Sequence, residues 1–345
     1  MTPTLLTIGG FLGAGKTTLI ARAASILAKR GKRVVVVTND QAPELVDTAI
    51  IELAGVPSAE VAGACFCCAF TDFAAKTRDL IAKHQPDVVL AEPVGSCVDI
   101  AATVLRPLAL EAGSLLHVAP FSVVVDPAAL REIEAGAVDP ATAYIYRLQL
   151  READVLLLNK CDGEQDPALA EAELSAQCPS AAVFRVSAAT SDGVEVWLDA
   201  VLAAAQGGGK RIEVDYDTYA AGEAALGWLN ATVELRGGDW ETVLPRLMQA
   251  INLRGIAHLK CLLRSGALVL VANSVTGRPA PHQRRLAAGA PTLDARVIVN
   301  ARIACPPAEL RQAVEAAIAT VGLDGRVKSI RAFSPGRPVP IHRIP

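Results

Sequence analysis

The segment Gly10-Phe-Leu-Gly-Ala-Gly15-Lys16-Thr17 constrains this chain more than any other. It fits G-x-x-x-x-G-K-[ST], and it lies between a β-rich run, Thr4–Ile8, and an Ala/Leu-rich stretch from Lys16 to Arg30. Glycines at Gly10, Gly13 and Gly15 let a loop curl until successive backbone N–H groups face one anion. The following helix adds its positive end. Ala14, Lys16, Thr17 and Thr18 complete the cradle: Lys16 reaches the β- and γ-phosphates, and the Thr17 hydroxyl binds magnesium. A strand, this loop and a helix in that order predict an α/β nucleotide-binding domain.

The rest of the chain carries the same rhythm. Arg33–Thr38 (RVVVVT), Asp87–Ala91, Phe121–Val125, Asp154–Leu158 and Ala181–Val186 are unbroken apolar strands. Helical stretches separate them, near Asp72–His84, Val98–Ala112, Ala141–Glu152, Pro167–Gln177 and Val194–Ala205. Gly31 stands where the first helix should be capped. Strands without polar alternation are buried on both faces, so the alternation predicts a doubly wound, mainly parallel sheet. Ligands bind such sheets at the carboxyl ends of the strands. Residues 1–205 therefore form the expected P-loop domain, and 206–227, opening with QGGGK, reads as a linker. Residues 228–333 change to a β-α-β-β-(β)-α-β order, which predicts a smaller α+β domain of the split βαβ type. The tail, 334–345, is Pro-rich and expected to be extended.

The carboxyl ends of the predicted strands carry the other motifs. Asn159-Lys160-Cys161-Asp162 is an N-K-x-D, in which the aspartate accepts two hydrogen bonds from guanine and the asparagine supports the base edge. Adenine leaves that carboxylate unpaired, so GTP is preferred over ATP. Ser187-Ala188, after the next strand, matches a second guanine-contacting turn. Glu92 can hold magnesium through water, and the amide of Gly95 can approach the γ-phosphate. Asp40 offers a second carboxylate near the metal. With no glutamine in place, positioning of the attacking water is open between Asp40 and Asp47.

Cys65-Phe66-Cys67-Cys68 is the distinctive element. Three thiols in four residues can converge on a borderline or soft ion such as zinc or cobalt. The competing readings are a buried cluster of small apolar residues and a redox or iron–sulfur site. Cys97 is a possible fourth ligand, although core packing explains it more simply; Cys161, Cys178, Cys261 and Cys305 are expected to be structural. The five histidines show no ligand spacing.

Composition excludes several alternatives. A formal charge of −3 over 345 residues gives no footprint for nucleic acid, and Arg284–Arg285 is only a short basic cluster. No apolar run reaches the roughly 18 residues of a membrane span. Eight cysteines without a secretion signal point to reduced thiols in the cytoplasm.

GGFLGAGKTT, a C-x-C-C, an E-x-x-G and an N-K-x-D in this order resemble the CobW-like GTPases, within the wider group that contains the hydrogenase and urease nickel-insertion GTPases. Asn39, Asp40 and Asp47 match the family's Asn-Glu and downstream Asp. The resemblance implies a GTPase that binds GTP/GDP, magnesium and a divalent cargo ion held by Cys65, Cys67 and Cys68. Its partner would be a client metalloenzyme or a corrinoid protein, and homodimerisation is part of the same expectation. Three positions depart from the family pattern: Asn39-Asp40-Gln41-Ala42 for Asn-Glu-Phe-Gly, Glu92-Pro93-Val94-Gly95 for E-[ST]-[ST]-G, and Ala64 before the first cysteine in place of Gly. The alternatives are a nucleotide-gated regulatory module that activates a client with little turnover of its own, and a small-molecule kinase, against which the N-K-x-D argues.

Overall fold

A computed structural model describes residues 2–40, 46–164, 166–204, 207–251, 256–275, 278–321 and 324–344. The chain divides into two compact units. The first comprises Met1–Gln41, Ile50–Tyr219 and Arg337–Pro345; the second comprises Ala42–Ala49 and Ala220–Gly336.

In the first unit β1 (Thr4–Gly10), α1 (Lys16–Lys29), β2 (Val34–Asp40), α2 (Val46–Leu53, begun in the second unit), β3 (Ser58–Ala62), α3 (Phe70–His84) and β4 (Val88–Glu92) alternate. They continue through α4 (Arg106–Ala112), β5 (His117–Val118), β6 (Ser122–Val125), α5 (Pro127–Glu134), α6 (Pro140–Glu152), β7 (Val155–Leu158), α7 (Pro167–Gln177), β8 (Ala182–Arg185) and α8 (Val194–Ala203). Among the described residues the strands form an eight-stranded sheet in the order β3-β2-β4-β1-β6-β7-β8, with β5 also beside β1. All its pairings are parallel. The expected doubly wound parallel sheet is therefore present. Its apolar runs explain it: every residue of β4, β6 and β7 is buried, as a central parallel strand requires. Helix α1 buries Leu19, Ile20, Ala23, Ala24 and Leu27, a helical stripe that meets Val194, Trp197 and Leu198 of α8 in one core. It stops as expected at Gly31, where the Lys32 amide bonds the Leu27 carbonyl and the Gly31 amide bonds that of Ala28.

Local differences have local causes. The helix expected near Val98–Ala112 opens with a five-residue π-helical segment, Ala101–Leu105, before α4. The stretch expected as a linker contains α9 (Tyr216–Ala224). Its polar and apolar residues follow no helical stripe, so periodicity does not reveal it.

The second unit contains β9 (Gly227–Arg236), α10 (Trp240–Ile251), β10 (Ile256–Ser265), β11 (Leu268–Val275), β12 (Arg278–Ala288), β13 (Asp294–Ile303), α11 (Pro307–Thr320) and β14 (Asp324–Phe333). These strands form an antiparallel sheet in the order β12-β11-β10-β13-β9-β14. Residues of α10 and α11 share one buried core with β9, β10, β11 and β13. This is the expected smaller α+β domain, enlarged by β12, which the sequence reading omits. Among the described residues, no helix is long and apolar enough to cross a membrane.

Candidate functional site

Because the first sheet is parallel, the segments leaving β1, β2, β4, β7 and β8 emerge along one edge. The loop after β1 reaches α1 through Gly15, whose φ is +102°. A side chain there would be strained, and its Cβ would lie 2.5 Å from Asn159 Nδ2. Lys16 is buried and folds over the loop, donating from Nζ to the carbonyls of Gly10 (2.8 Å) and Phe11 (3.2 Å). The Thr17 hydroxyl donates to Glu92 Oε1 at 3.0 Å, tying the start of α1 to the end of β4. An alcohol and a carboxylate converging beside a phosphate loop are a hard-oxygen donor set that fits magnesium. Thr18 follows on the first turn of α1. Gly95 comes against Leu12 and Lys16: a Cβ there would lie 2.7 Å from Leu12 Cδ2 and 3.0 Å from Lys16 Nζ.

The N-K-x-D braces this loop as well as offering a base edge. Asn159 donates from Nδ2 to the Ala14 carbonyl (2.8 Å) and accepts the Ala188 amide on Oδ1 (3.0 Å). One buried side chain thereby joins the phosphate loop to the Ser187-Ala188 turn. Lys160, in the left-handed region at φ 63°, donates to the Gly13 carbonyl at 2.8 Å and pairs with Asp126. Asp162 remains exposed, and its Oδ1 accepts the Ser187 hydroxyl at 2.7 Å. That bond orients the carboxylate while leaving a second oxygen for a ligand.

The thiols lie in the loop between β3 and α3. Cys65 and Cys67 are buried, Cys68 is half-buried, and their sulfur atoms all lie within 4.8 Å of one another. Cys65 Sγ and Cys67 Sγ are 2.8 Å apart, Cys67 Sγ and Cys68 Sγ 3.7 Å. Hydrogen bonding by Cys67, then Cys68 and Cys97, holds the Cys65 thiol well below its ordinary value. The same sharing, with Cys65 the leading cause, raises Cys67 strongly and pushes Cys68 up to about 11. A cluster in which one sulfur is readily ionised and its neighbours donate to it is prepared for a soft or borderline cation. The reading of the triplet as ordinary core filling does not explain this convergence of sulfur on sulfur. Cys97 is buried, as core packing would have it.

Four supports of the site hold it in ways that no motif states. Asn39, the penultimate residue of β2, donates to the carbonyls of Val61 (2.9 Å) and Ala64 (2.8 Å) and accepts the Phe66 amide (2.8 Å). It suspends the thiol loop from the sheet. Gln149 of α6 donates to the carbonyls of both Gly95 and Cys97, each at 3.0 Å. Asp126 caps α5 through the Ala128 amide while holding Lys160; the Asp126-Pro127 pair is a helix-start signal that could have disclosed it. The chain's final segment returns to the first unit, where the Val339 amide donates to Cys68 Sγ (3.3 Å) and the Ile341 amide to the Cys67 carbonyl (3.1 Å). Arg343 donates to the buried carboxylate of Asp99 at 2.7 Å, and the His342 ring packs edge-on to Phe70. Over its described residues the tail after Phe333 forms neither helix nor strand, and it covers the thiols.

Asp40 ends β2, but its side chain lies outside the described residues. Asp47 belongs to the second unit, where its carboxylate pairs with Lys260. The neighbouring Val46 amide donates to Asn300 Oδ1 at 3.0 Å. The structure thus brings together Lys16, Thr17, Glu92 and Gly95, and separately Asn159, Asp162, Ser187 and Ala188. It engages Asp47 with a lysine of the second unit's own sheet.

The family model described as the CobW/HypB/UreG nucleotide-binding domain matches residues 4–185, more than half of the chain. The chain belongs to the CobW/HypB/UreG family. Its match spans β1 through β8, and so includes every nucleotide-site and thiol residue described above except Ser187 and Ala188. Among solved structures, the hydrogenase maturation factor HypB from Archaeoglobus fulgidus is 18% identical, with 58% of this chain and 89% of that one covered and a TM-score of 0.40. HypB from Helicobacter pylori in complex with nickel is 17% identical over 58% and 86%, at a TM-score of 0.41. Zn(II)-bound YjiA GTPase from E. coli is 16% identical over 92% and 99%, at a TM-score of 0.37. No curated protein matches significantly.

Proposed function

We infer that this CobW/HypB/UreG member hydrolyses GTP to GDP and phosphate in order to load or release a divalent metal ion, zinc or cobalt, for a client metalloenzyme or corrinoid-dependent protein. One observation carries the reading. The thiol loop hangs from Asn39 at the end of β2, in the same unit and on the same sheet whose neighbouring strand β4 presents Glu92 to Thr17. A change at the phosphate therefore has a short path to the sulfur atoms through two hydrogen-bonded strands.

The residues divide the work. The backbone amides of the loop from Gly10 to Gly15 and the Lys16 ammonium hold the phosphates. Thr17 and Glu92 hold magnesium, which supplies charge neutralisation at the transferred phosphoryl group. Asp162 selects guanine, with Asn159, Ser187 and Ala188 fixing the base-binding loops in place. Asp40 is the proposed water-positioning residue, because the carboxylate of Asp47 is engaged by Lys260 within the second unit. Cys65, Cys67 and Cys68 bind the cargo as thiolates.

Metal and nucleotide binding measured on the purified full chain test this reading. Near-stoichiometric zinc or cobalt, lost in the triple variant Cys65→Ser, Cys67→Ser, Cys68→Ser, is the expected result, together with GTP hydrolysis lost in Lys16→Ala. Metal content unchanged in the triple variant would remove the cargo role and leave a nucleotide switch.

A further inference from the structure

Gly95 lies in the turn that leaves β4 after Glu92, against the phosphate-binding lysine. A Cβ there would lie 2.7 Å from Leu12 Cδ2 and 3.0 Å from Lys16 Nζ, so the position has no room for a side chain. Glycine in turn has nothing of its own to fix its backbone. The Cys97 amide donates to the Val94 carbonyl at 3.0 Å and closes the turn, with Gly95 and Ser96 as its two central residues. That closing bond is common to turns of types I and II, which differ by a flip of the central peptide. Here the central peptide carries the Gly95 carbonyl. A further contact must choose between the two states, because a carbonyl oxygen repels a phosphate and an N–H attracts it.

Gln149 of α6 makes that contact. Its Nε2 carries two hydrogens and donates to two carbonyls, those of Gly95 and Cys97, each at 3.0 Å. Two carbonyl partners fix which end of the amide is the nitrogen. The side chain is 3% exposed, and its Oε1 accepts no hydrogen bond from the described residues. A buried oxygen left unsatisfied offsets part of what the two donated bonds contribute to stability. The residue therefore secures the placement of the turn more than it stabilises the core. Its neighbours on the helix do the same. Tyr146, Gln149 and Glu152 recur at three-residue intervals on α6, and all are buried. The Tyr146 ring meets that of Phe11, in the phosphate loop, edge-on with centroids 5.7 Å apart. Glu152 Oε1 accepts the Ala101 amide at 2.6 Å. One face of α6 thus sets the segment after β4 against the phosphate loop.

We propose that Gln149 is a positioning residue for the γ-phosphate: by holding the Gly95 carbonyl on the α6 side it keeps the turn after β4 in the arrangement that accepts GTP, and so lets the protein tell GTP from GDP. The proposal rests on the GTP-hydrolysing reading above and names the residue through which that site registers the third phosphate. The phosphate loop and the N-K-x-D hold what GTP and GDP share, whereas the turn after β4 meets what GDP lacks. Gln149 touches no nucleotide itself and acts through Gly95. Without it the central peptide populates both flip states. GTP must then select one, and its affinity falls by the fraction that is competent. GDP makes no such demand.

Affinities of the full chain for GDP and for the slowly hydrolysed analogue GTPγS, with magnesium present, test this beside GTP turnover. Gln149→Met keeps the length and burial of the side chain and removes both donated bonds. GTPγS affinity and kcat for GTP are each expected to fall about tenfold or more, while GDP affinity stays within about twofold. Equal losses for both nucleotides, or a lower Tm with both affinities unchanged, would overturn the proposal and leave Gln149 a packing residue. Gln149→Asn, which keeps the amide but draws it back by one methylene, decides by the same outcomes where the methionine variant does not fold. Failure of both variants to fold assigns Gln149 to the core and overturns the proposal as well. A wild-type chain that binds neither nucleotide would overturn the GTPase reading itself. A wild type that binds both, with Gln149 variants that behave like it, removes only the positioning role.

Discussion

Asn39 Oδ1 accepts the Phe66 amide at 2.8 Å, so the loop that carries the thiols is hung from the strand that leads to Asp40. The same side chain donates to the carbonyls of Val61 and Ala64, and nothing in residue spacing announces any of the three bonds.

Asn39→Ala should therefore loosen the thiol loop without touching a sulfur. Three hydrogen bonds at a buried side chain are lost, and the expected destabilisation is about 2–4 kcal/mol. The denaturant midpoint reports the stability, and cobalt affinity should fall in the same variant. Unchanged affinity would mean that the loop needs no such support.

Asp162→Ala should cost GTP affinity by about a hundredfold or more while leaving ATP binding near its weak starting level. Ser187→Ala, which removes the 2.7 Å bond that orients the carboxylate, should reproduce a smaller part of the effect. Competition titrations with the two nucleotides measure both. Equal losses for GTP and ATP would argue against a base-selecting role.

Arg343→Ala should free the tail. Its partner Asp99 is 1% exposed, and the same carboxylate oxygen would keep the Tyr216 hydroxyl, which donates to it at 2.8 Å. Breaking a buried pair from one side costs about 3–5 kcal/mol when the remaining charge cannot relax; release of the segment lowers that figure here. Cys68, which accepts the Val339 amide, should then react several-fold faster with a thiol reagent. Labelling kinetics followed by peptide mapping read this directly, and an unchanged rate would dismiss the tail as a cover.

Glu152 is fully buried, and burial pushes its carboxyl from an ordinary 4.5 to about 8, against the Ala101 amide bond that favours the charged form. Its folded-state value is raised, so the folded protein binds more protons than the unfolded chain between those limits. Stability is then full below about pH 4.5 and falls as pH rises toward 8, with a slope of up to about 1.4 kcal/mol per unit from this group. Glu152→Gln should flatten that slope. Denaturation midpoints across this window decide the matter, and an unchanged slope would assign the pH dependence to other groups.

Much of the fold was legible because its signals are local. β4, β6 and β7 are short apolar runs buried on both sides, and α1 shows its stripe and its Gly31 stop within one stretch of chain. The elements that escaped lacked such signals. β12 contains Pro279 and Pro281 and lies at the edge of its sheet, where proline is tolerated but the sequence pattern reads as loop. β3 is another short edge strand, only partly buried. For α5 the sequence signal is confined to its start, the Asp126-Pro127 pair.

The candidate site divides along the same line. Residue spacing alone determined the phosphate loop from Gly10 to Thr17, the N-K-x-D at Asn159 and the thiol triplet at Cys65, because each places its functional groups within a few residues of one another. Only the tertiary structure decided that Asn39 holds Phe66, that Gln149 joins Cys97 to Gly95, that the tail covers Cys68, and that Asp47 pairs with Lys260. Those partners are far apart along the chain, and which of them meet is set by strand order and core packing, which leave no periodicity or spacing to read.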